Sequence, residues 1–276
     1  MFPNKQQPPD GLIYLQHGFF RSNNNMAAMA IQLADSTNSV VVVPTISSNP
    51  FATGGCWING APEQQAVAAL FTGDRAALTA SASAAAGHPV VLPRPFVLAG
   101  HSAGGNLATA VAGYTVDNGA VSDLRAVVLF DAVDSGGQMA AALAKLTGVN
   151  DRPVYQIASP CSLCNGFGSG TSALLDARPN RFVGVLVKHG THIDAEGAST
   201  SVLAELVCGF PLPRNVAAVQ TIAQGWILDA FTGSHTGLSG APGQLINVDG
   251  ATVQVLPYKP VAAALPPLAS SPVLSA

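Results

Sequence analysis

The chain has 276 residues, of which 48% are apolar and only 10% are Asp, Glu, Lys or Arg. Such sparse charge argues against disorder, and a formal charge of −3 with 12 Lys and Arg residues provides no basic surface for nucleic acid. No apolar run reaches the roughly 18 residues that a membrane span needs, so we expect a soluble globular protein without a transmembrane segment.

Short apolar runs alternate along the chain with alanine-rich stretches, and we interpret them as strands and helices. The strands are predicted at Leu12–Gln16, Val40–Val43, Pro95–Ala99, Ala126–Phe130, Pro153–Ile157 and Phe182–Val187. The helices are predicted at Met26–Asp35, Glu63–Ala86, Ala103–Val116, Gln138–Leu146, Thr171–Ala177 and Asn215–Phe231. This alternation predicts an α/β fold, with a mostly parallel sheet flanked by helices on both faces.

We predict one main domain over residues 11–232, preceded by an N-terminal extension over residues 1–10. The remainder, residues 233–276, is predicted to be a C-terminal appendage. Two short apolar runs, Gln244–Val248 and Ala251–Leu256, surround Asp249-Gly250, a dipeptide typical of hairpin turns. The last residues, Lys259–Ala276, contain four prolines and are expected to form a tail.

The four cysteines permit two disulfides in three pairings, with free buried thiols as the alternative. Our preferred pairing joins Cys161 or Cys164 to Cys208 and leaves Cys56 with the remaining partner. The Cys161-Ser-Leu-Cys164 run is a weak redox or zinc motif, because a Gly-rich loop follows it and no second ligand pair has the right spacing. Disulfides favour a secreted or periplasmic protein, although Met1–Asp10 has no signal-peptide pattern.

A Gly-x-Ser-x-Gly motif occupies Gly100–Gly104, at a junction between a predicted strand and a predicted helix. In this context the serine lies on a sharp turn with its hydroxyl exposed, so we predict Ser102 to be a nucleophile. The helix that begins at Ala103 directs its free N–H groups toward an oxyanion formed there. His101, which is adjacent to the serine, is interpreted as a structural histidine.

The run His17-Gly18-Phe19-Phe20 follows the first predicted strand. Gly18 would allow the backbone to approach a substrate, so we predict that the N–H groups of Phe19 and Ala103 form an oxyanion hole. The rings of Phe19 and Phe20 could also line an acyl pocket.

A serine hydroxyl needs a histidine base, and in this type of site the chain order is serine, acid, histidine. His189, His192 and His235 are the histidines that follow Ser102. Because Gly190 lets the chain turn after the strand Phe182–Val187, we predict His192 to be the base, with His189 as the alternative.

The acid is predicted between two aspartates. The strand Pro153–Ile157 is followed by a segment without a carboxylate, whereas Ala126–Phe130 is followed by Asp131-Ala132-Val133-Asp134. Asp131 stands directly at the strand end and is the preferred acid. Asp134 is the alternative acid, or a residue that caps the next helix.

These motifs resemble the chlorophyllase and polyester-hydrolase/lipase branch of the α/β hydrolases. The resemblance rests on Gly100–Gly105, on the run Leu129–Asp134 and on His192 in a Gly-Thr-His-Ile-Asp run, and it covers about residues 11–210. It implies the α/β-hydrolase fold and ester hydrolysis. Chlorophyllases have an Asp-Pro-Val-Asp-like segment that provides their acid, which supports Asp131, but Ala132 replaces the usual proline. The segment Cys161–Gly170 has no counterpart in the resemblance.

We therefore expect a serine carboxylic-ester hydrolase that acts through an acyl-enzyme on a small-molecule, lipid or polyester substrate, with neither metal nor cofactor. Phe51 and Trp57 are further candidates for substrate contact, with a packing role as the alternative. An acyltransferase with the same triad and a non-catalytic binding protein on the same fold are the rival functions, and a peptidase is disfavoured by the absence of a charged specificity pocket. The acyl chain length, the disulfide pairing and the oligomeric state stay open.

Overall fold

The computed structural model describes residues 1–4 and 7–257. Eight strands form one sheet: β1 Gly11–Gln16, β2 Ser39–Val42, β3 Phe96–His101, β4 Leu124–Phe130, β5 Val154–Ala158, β6 Gly184–Val187, β7 Leu245–Val248 and β8 Ala251–Val255. Their order in the sheet is β2-β1-β3-β4-β5-β6-β8-β7. The strands β1 to β6 are parallel, whereas β8 is antiparallel to β6 and to β7.

Eight α-helices accompany the sheet in the described part of the chain: α1 Ala27–Ser36, α2 Ala61–Ala69, α3 Ala76–Ala86, α4 Ala103–Asp117, α5 Gln138–Lys145, α6 Ser169–Ala177, α7 Val202–Cys208 and α8 Pro213–Thr232. The predicted α/β class, with a mostly parallel sheet and helices on both faces, is confirmed. Each predicted strand is present, shifted by at most two residues at either end.

Two apolar cores lie on opposite faces of the sheet because successive strand residues point to opposite sides. In β1, Leu12 and Tyr14 belong to one core, and Ile13 and Leu15 belong to the other. Helices α2 to α6 pack on the first face, and α1 and α8 pack on the second. Coverage of both faces explains why the parallel strands are continuously apolar.

The prediction of one helix over Glu63–Ala86 is wrong. The structure has two helices there, α2 and α3, because the chain turns between them at Thr72-Gly73-Asp74. Gly73 and Arg75 both have left-handed φ angles, of 57° and 56°, which end any continuous helix. The helix α7 has no counterpart among the predictions.

The predicted hairpin at Asp249-Gly250 is present as β7 and β8. Strand β8 pairs with β6 from Val187↔Val253 to Val185↔Val255, so the hairpin extends the main sheet. The predicted Pro-rich tail Lys259–Ala276 lies outside the described residues. Within the described part, no single helix is both long and apolar enough to cross a membrane. Only α7 and α8 together, bent by 93°, reach that length and composition.

Candidate active site

The carboxyl ends of β1, β3, β4, β5 and β6 meet at one edge of the sheet, which we call the carboxyl edge. The residues that the sequence singled out for catalysis lie directly after these strands, whereas Phe51 and Trp57 follow the neighbouring strand β2. Ligands of open α/β sheets bind at this edge, because the loops there converge above the strand ends.

Ser102 is held on a strained turn between β3 and α4. Its backbone has φ 57° and ψ −124°, a combination that few residues with a side chain adopt. Its N–H donates to the Phe130 carbonyl at 3.1 Å, and its carbonyl accepts from Val133 N–H at 3.1 Å and from Gly105 N–H at 2.9 Å. These bonds to β4 and α4 stabilise a conformation that is unfavourable locally.

The small residues of the motif have a steric reason. A Cβ atom at Gly104 would lie 2.3 Å from the His17 carbonyl oxygen, and one at Gly100 would lie 2.1 Å from the Gly104 carbonyl oxygen. Only glycine therefore lets the turn, the helix and the β1 loop approach one another this closely.

The β1 loop lies directly against the serine. A Cβ atom at Gly18 would be 2.9 Å from the Ser102 Cβ. His17 orients this loop: its Nδ1–H donates to the Gly18 carbonyl at 2.8 Å, and its Nε2 accepts from Ile46 N–H at 3.0 Å. Burial lowers the pKa of His17, which keeps the ring neutral and suited to this pair of bonds.

Because a trans peptide is planar, fixing the Gly18 carbonyl also fixes the direction of the Phe19 N–H, which points the opposite way. Within the described part of the chain, neither the Phe19 N–H nor the Ala103 N–H has a hydrogen-bond partner. The two donors predicted for an oxyanion hole thus flank Ser102 and are free. The sequence did not reveal the role of His17.

His192 and Asp131 are in direct contact. The His192 Nδ1 lies 2.7 Å from the Asp131 Oδ2, and both side chains are buried. The His192 ring is also close to the residue before the serine, with 4.7 Å between the ring centres of His192 and His101. The structure therefore gathers Ser102, His192 and Asp131 at the carboxyl edge.

The Asp131 carboxylate accepts further hydrogen bonds from two residues that sequence reasoning missed. Ser159 donates from its backbone N–H at 2.9 Å and from its hydroxyl at 2.6 Å, and Asn165 Nδ2 donates at 3.1 Å. Asp131 also has a left-handed φ of 47°. Both donors belong to the loop after β5. The sequence analysis considered this loop only as a source of a carboxylate, which it does not contain.

The alternative residues have other partners. Asp134 accepts from the N–H groups of Gly137 and Met139 at 2.9 Å each, at the start of α5, as a capping residue does. His189 is exposed, and its carbonyl accepts from Asn215 Nδ2 at 2.9 Å. Neither is placed to contact the Asp131–His192 pair.

Aromatic side chains surround the opening of the site on the β1 side. The Phe19 ring lies 6.1 Å from Trp57 in a stacked arrangement and 6.0 Å from Phe20. Phe20 is 87% exposed and Phe51 is 91% exposed. Three of the four predicted contact residues thus form one aromatic group, while Phe51 projects into solvent.

The other side of the opening carries α7, whose apolar side chains are largely exposed. They comprise Val202, Leu203, Leu206 and Val207, with Phe210 just beyond the helix. The helix ends next to the loop of His192, because a Cβ atom at Gly209 would lie 3.0 Å from the Thr191 Cγ2. An apolar surface therefore continues from α7 to the edge of the site.

A disulfide between Cys164 and Cys208 connects the β5 loop to α7, which confirms one of the two preferred pairings. The expected bond between Cys56 and Cys161 is wrong, since both thiols are free and exposed. Their loops follow β2 and β5, four strand spacings or about 19 Å apart, whereas a disulfide needs Cα atoms within about 7 Å.

Two buried carboxylates lie in the loop that carries His192. Burial raises the pKa of Asp194 to about 6, although Thr191 donates to it from its N–H at 2.9 Å and its hydroxyl at 2.8 Å. Burial also raises the pKa of Glu196, and the neighbouring Arg21 opposes that rise. Within residues 1–4 and 7–257, no group of three or more His, Cys, Asp or Glu side chains is arranged to hold a metal ion.

The fold and the site together define an α/β-hydrolase fold, in which a serine at a strand-to-helix turn stands beside a histidine–aspartate pair. Comparison with solved structures agrees with this fold. The chain is similar to fungal esterases from Rhizomucor miehei, with a TM-score of 0.53 and 15% identity over 84% of this chain and 78% of that one.

A second match, an arylesterase structure, has a TM-score of 0.33 and 21% identity, and it covers 45% of this chain and 37% of that one. The aligned part thus spans little more than a third of the arylesterase. No family model and no curated protein matches the chain.

Proposed function

We propose that this chain is a serine carboxylic-ester hydrolase, with Ser102 as nucleophile, His192 as base and Asp131 as the acid that orients the base. The observation that carries the proposal is the 2.7 Å contact between His192 Nδ1 and Asp131 Oδ2 beside the strained turn at Ser102. A bystander serine would have no reason to combine backbone strain with a buried histidine–carboxylate pair.

The Asp131 contact determines what His192 can do. A carboxylate at Nδ1 holds the proton on that nitrogen, so the lone pair of Nε2 is free to accept a proton from the serine hydroxyl. The same carboxylate stabilises the imidazolium that then forms. Because Ser159 and Asn165 donate to Asp131, the carboxylate stays in one orientation during this transfer.

In the first half of the reaction, His192 Nε2 takes the Ser102 proton while the serine oxygen bonds to the ester carbonyl carbon. The negative charge on the carbonyl oxygen is stabilised by the N–H groups of Phe19 and Ala103, the latter at the positive end of the α4 dipole. The intermediate collapses, the C–O bond of the ester breaks, and the alcohol leaves with the proton from His192.

In the second half, water loses a proton to His192 and attacks the acyl-serine carbonyl carbon. Collapse of this second intermediate releases the carboxylic acid and returns the proton to Ser102. The backbone donors act identically in both halves of the reaction. Apart from the ester and water, every reacting group belongs to this chain.

We extend the proposal to hydrophobic esters, including lipids and polyesters. The support is the exposed apolar side chains on both sides of the opening, Phe19 and Phe20 on one side and those of α7 on the other. Contiguous exposed apolar surface around a site is typical of sites that receive apolar partners. The names of the fungal esterases, to which the fold is similar, are consistent with ester substrates.

We also propose that the protein works in an oxidising compartment, as a secreted or periplasmic enzyme would. The Cys164–Cys208 disulfide supports this placement, because structural disulfides persist where thiols are not kept reduced.

The test is a series of nitrophenyl esters from short to long acyl chains, with an emulsified lipid and a polyester film assayed alongside. We expect turnover that favours longer acyl chains, and product analysis with added alcohol should give mainly the free acid. Predominant transfer to the alcohol would establish an acyltransferase instead. Absence of turnover on every ester, together with no labelling by a fluorophosphonate, would indicate a binding protein.

A further inference from the structure

Two buried titratable residues next to the site have no part in the mechanism above. Glu196 is completely buried, with 0% exposure, and His101 is 2% exposed. An ionised carboxylate in the protein interior is costly unless it is paired, so its position requires an explanation.

Glu196 is paired with an arginine from a different loop. The Arg21 Nε donates to the Glu196 Oε1 at 2.7 Å. Arg21 directly follows Phe20 in the β1 loop, and Glu196 lies four residues after His192 in the β6 loop. The ion pair therefore connects the loop of the proposed oxyanion donors to the loop of the proposed base.

His101 connects the base to the nucleophile. Its Nε2 donates to the main-chain carbonyl of His192 at 2.7 Å, and it is the residue immediately before Ser102. A carbonyl acceptor requires the proton on Nε2, which leaves Nδ1 without one in the neutral ring. That Nδ1 lies 3.7 Å from the Glu196 Oε1 and has no hydrogen-bond partner among the described residues.

The environment of His101 keeps its ring neutral, since burial, followed by the neighbouring His192, holds its pKa well below the ordinary value. A neutral ring with its proton on Nε2 makes this one directed bond. The bond acts on the backbone of His192, so it positions the Cα from which the imidazole extends. The contact with Asp131 then needs to determine only the side-chain torsion angles of His192.

We propose that His101 and the Arg21–Glu196 ion pair are positioning residues, which together hold the His192 loop in register with Ser102 and with the oxyanion loop. This inference rests on the proposed function. A displacement of about 1 Å of a reacting group can reduce a rate by about 10²-fold, so the effect belongs in kcat.

The first test compares two substitutions of similar size at position 101. His101→Gln keeps an N–H donor that can reach the His192 carbonyl, whereas His101→Met removes the donor and keeps most of the volume. We expect His101→Met to lower kcat by about 10²-fold with KM changed less than about threefold, because substrate binding does not depend on the position of the imidazole. His101→Gln should recover at least about tenfold of that loss.

The second test removes the ion pair as a unit. Replacing Arg21 alone would leave an unpaired buried carboxylate and would risk unfolding, so the variant is Arg21→Met together with Glu196→Met. We expect a loss of about tenfold in kcat with little change in KM. Arg178→Met serves as the control, because Arg178 is also buried and paired with a carboxylate, Asp151, at 2.6 Å but lies at the opposite edge of the sheet.

Rates are compared at temperatures where each variant is equally folded by circular dichroism. Equal loss for Gln and Met at position 101, or a kcat for Met within about threefold of the wild type, would overturn the role of His101. If His101→Met does not fold, the double variant decides, and an unchanged kcat there overturns the proposal. An inactive wild-type protein would instead contradict the proposed function, so the two failures are distinguishable.

Discussion

The two edges of the sheet are built on different principles. At the opposite, amino edge, arginines donate to the carbonyl groups that end the loops before the strands. Arg75 donates to the carbonyls of Pro93 and Arg94 and to the Asp123 carboxylate. Arg152 donates to the carbonyls of Leu124 and Val121. These long side chains connect one loop to the next through several charge-assisted hydrogen bonds each.

The carboxyl edge has strained backbone and half-satisfied polar groups instead. Phe20, Ser102, Asp131 and His189 each follow a parallel strand and have positive φ angles. At the amino edge, three residues other than glycine have positive φ angles: Asn38, Arg75 and Asn180. Two of them are asparagines, which tolerate that region well. The difference indicates that the amino edge supplies stability, which offsets the strain that the site needs.

Substitution of Ser102 should give the largest loss of activity and should distinguish most clearly between the carboxyl edge, which carries the site, and the amino edge, which supplies stability. Ser102→Ala is expected to lower kcat by about 10⁶-fold, with no loss of stability, since one buried oxygen is removed from a strained turn. Fluorophosphonate labelling followed by peptide mapping measures the same residue directly. Labelling of a different serine would refute the assignment of the nucleophile.

The next largest effect should separate the two aspartates after β4. Asp131→Asn is expected to lower kcat by about 10⁴-fold, because an amide at that position favours the wrong tautomer of His192. Asp134→Asn is the matched control and should cost about 1 kcal/mol of stability as a weakened cap, with activity retained. If the loss of activity followed Asp134, the acid would be assigned wrongly while the serine and the histidine would stand.

The Cys164–Cys208 disulfide connects two loops at the carboxyl edge, as the arginines connect loops at the amino edge. The two cysteines are 44 residues apart. Replacing both with serine should lower the free energy of unfolding by about 4 kcal/mol, through the entropy of the longer open loop. Denaturant titration measures the loss. The Cys56→Ser/Cys161→Ser variant is the control, because it replaces two free cysteines, keeps the disulfide and should lose no stability. Thiol counting of the denatured, unreduced protein should give two thiols, and four would contradict the bond.

The buried Asp194 should make stability depend on pH. Because its folded pKa is raised to about 6 from 3.8, the folded state binds this proton more tightly than the unfolded state. The contribution is fully present below about pH 3.8 and is lost as the pH rises through about 6, by up to about 3 kcal/mol. Melting temperatures from pH 4 to 8 test this. Asp194→Asn should remove this part of the pH dependence, so the difference between the two curves is the quantity to measure. Glu196 acts in the same direction as Asp194, whereas His17 and His101, whose pKa values are lowered by burial, act in the opposite direction in both proteins. Parallel curves for both proteins would exclude Asp194 as the source.

The smallest effect is expected at the amino edge. Arg178 donates to the Asp151 carboxylate at 2.6 Å and to the Leu146 carbonyl at 2.9 Å. Arg178→Met should lower the free energy of unfolding by about 2 kcal/mol, while kcat per folded molecule stays unchanged. A fall in kcat at equal folded fraction would mean that the two edges are coupled, and the division between them would be wrong.

Local signals made much of this molecule predictable. The apolar runs of β1 to β6 and the Gly-x-Ser-x-Gly turn depend on residues within a few positions of one another, so the sheet class and Ser102 could be inferred from the sequence. The choice of His192 and Asp131 also followed from strand ends. The break between α2 and α3 was missed although Gly73 and Asp74 marked it, because the alanine-rich pattern on both sides continued through it.

Other features depended on the tertiary structure, because their partners are far apart in sequence. Ser159 and Asn165 reach Asp131 across 28 and 34 positions, and Arg21 reaches Glu196 across 175. No pattern in any of these segments indicates the other. The wrong prediction of a Cys56–Cys161 bond has the same cause. The order of the strands in the sheet separates the loops after β2 and β5, and the sequence does not show that order. The sequence determined which chemistry is available, and the packing of distant loops at the carboxyl edge decided which side chains surround it.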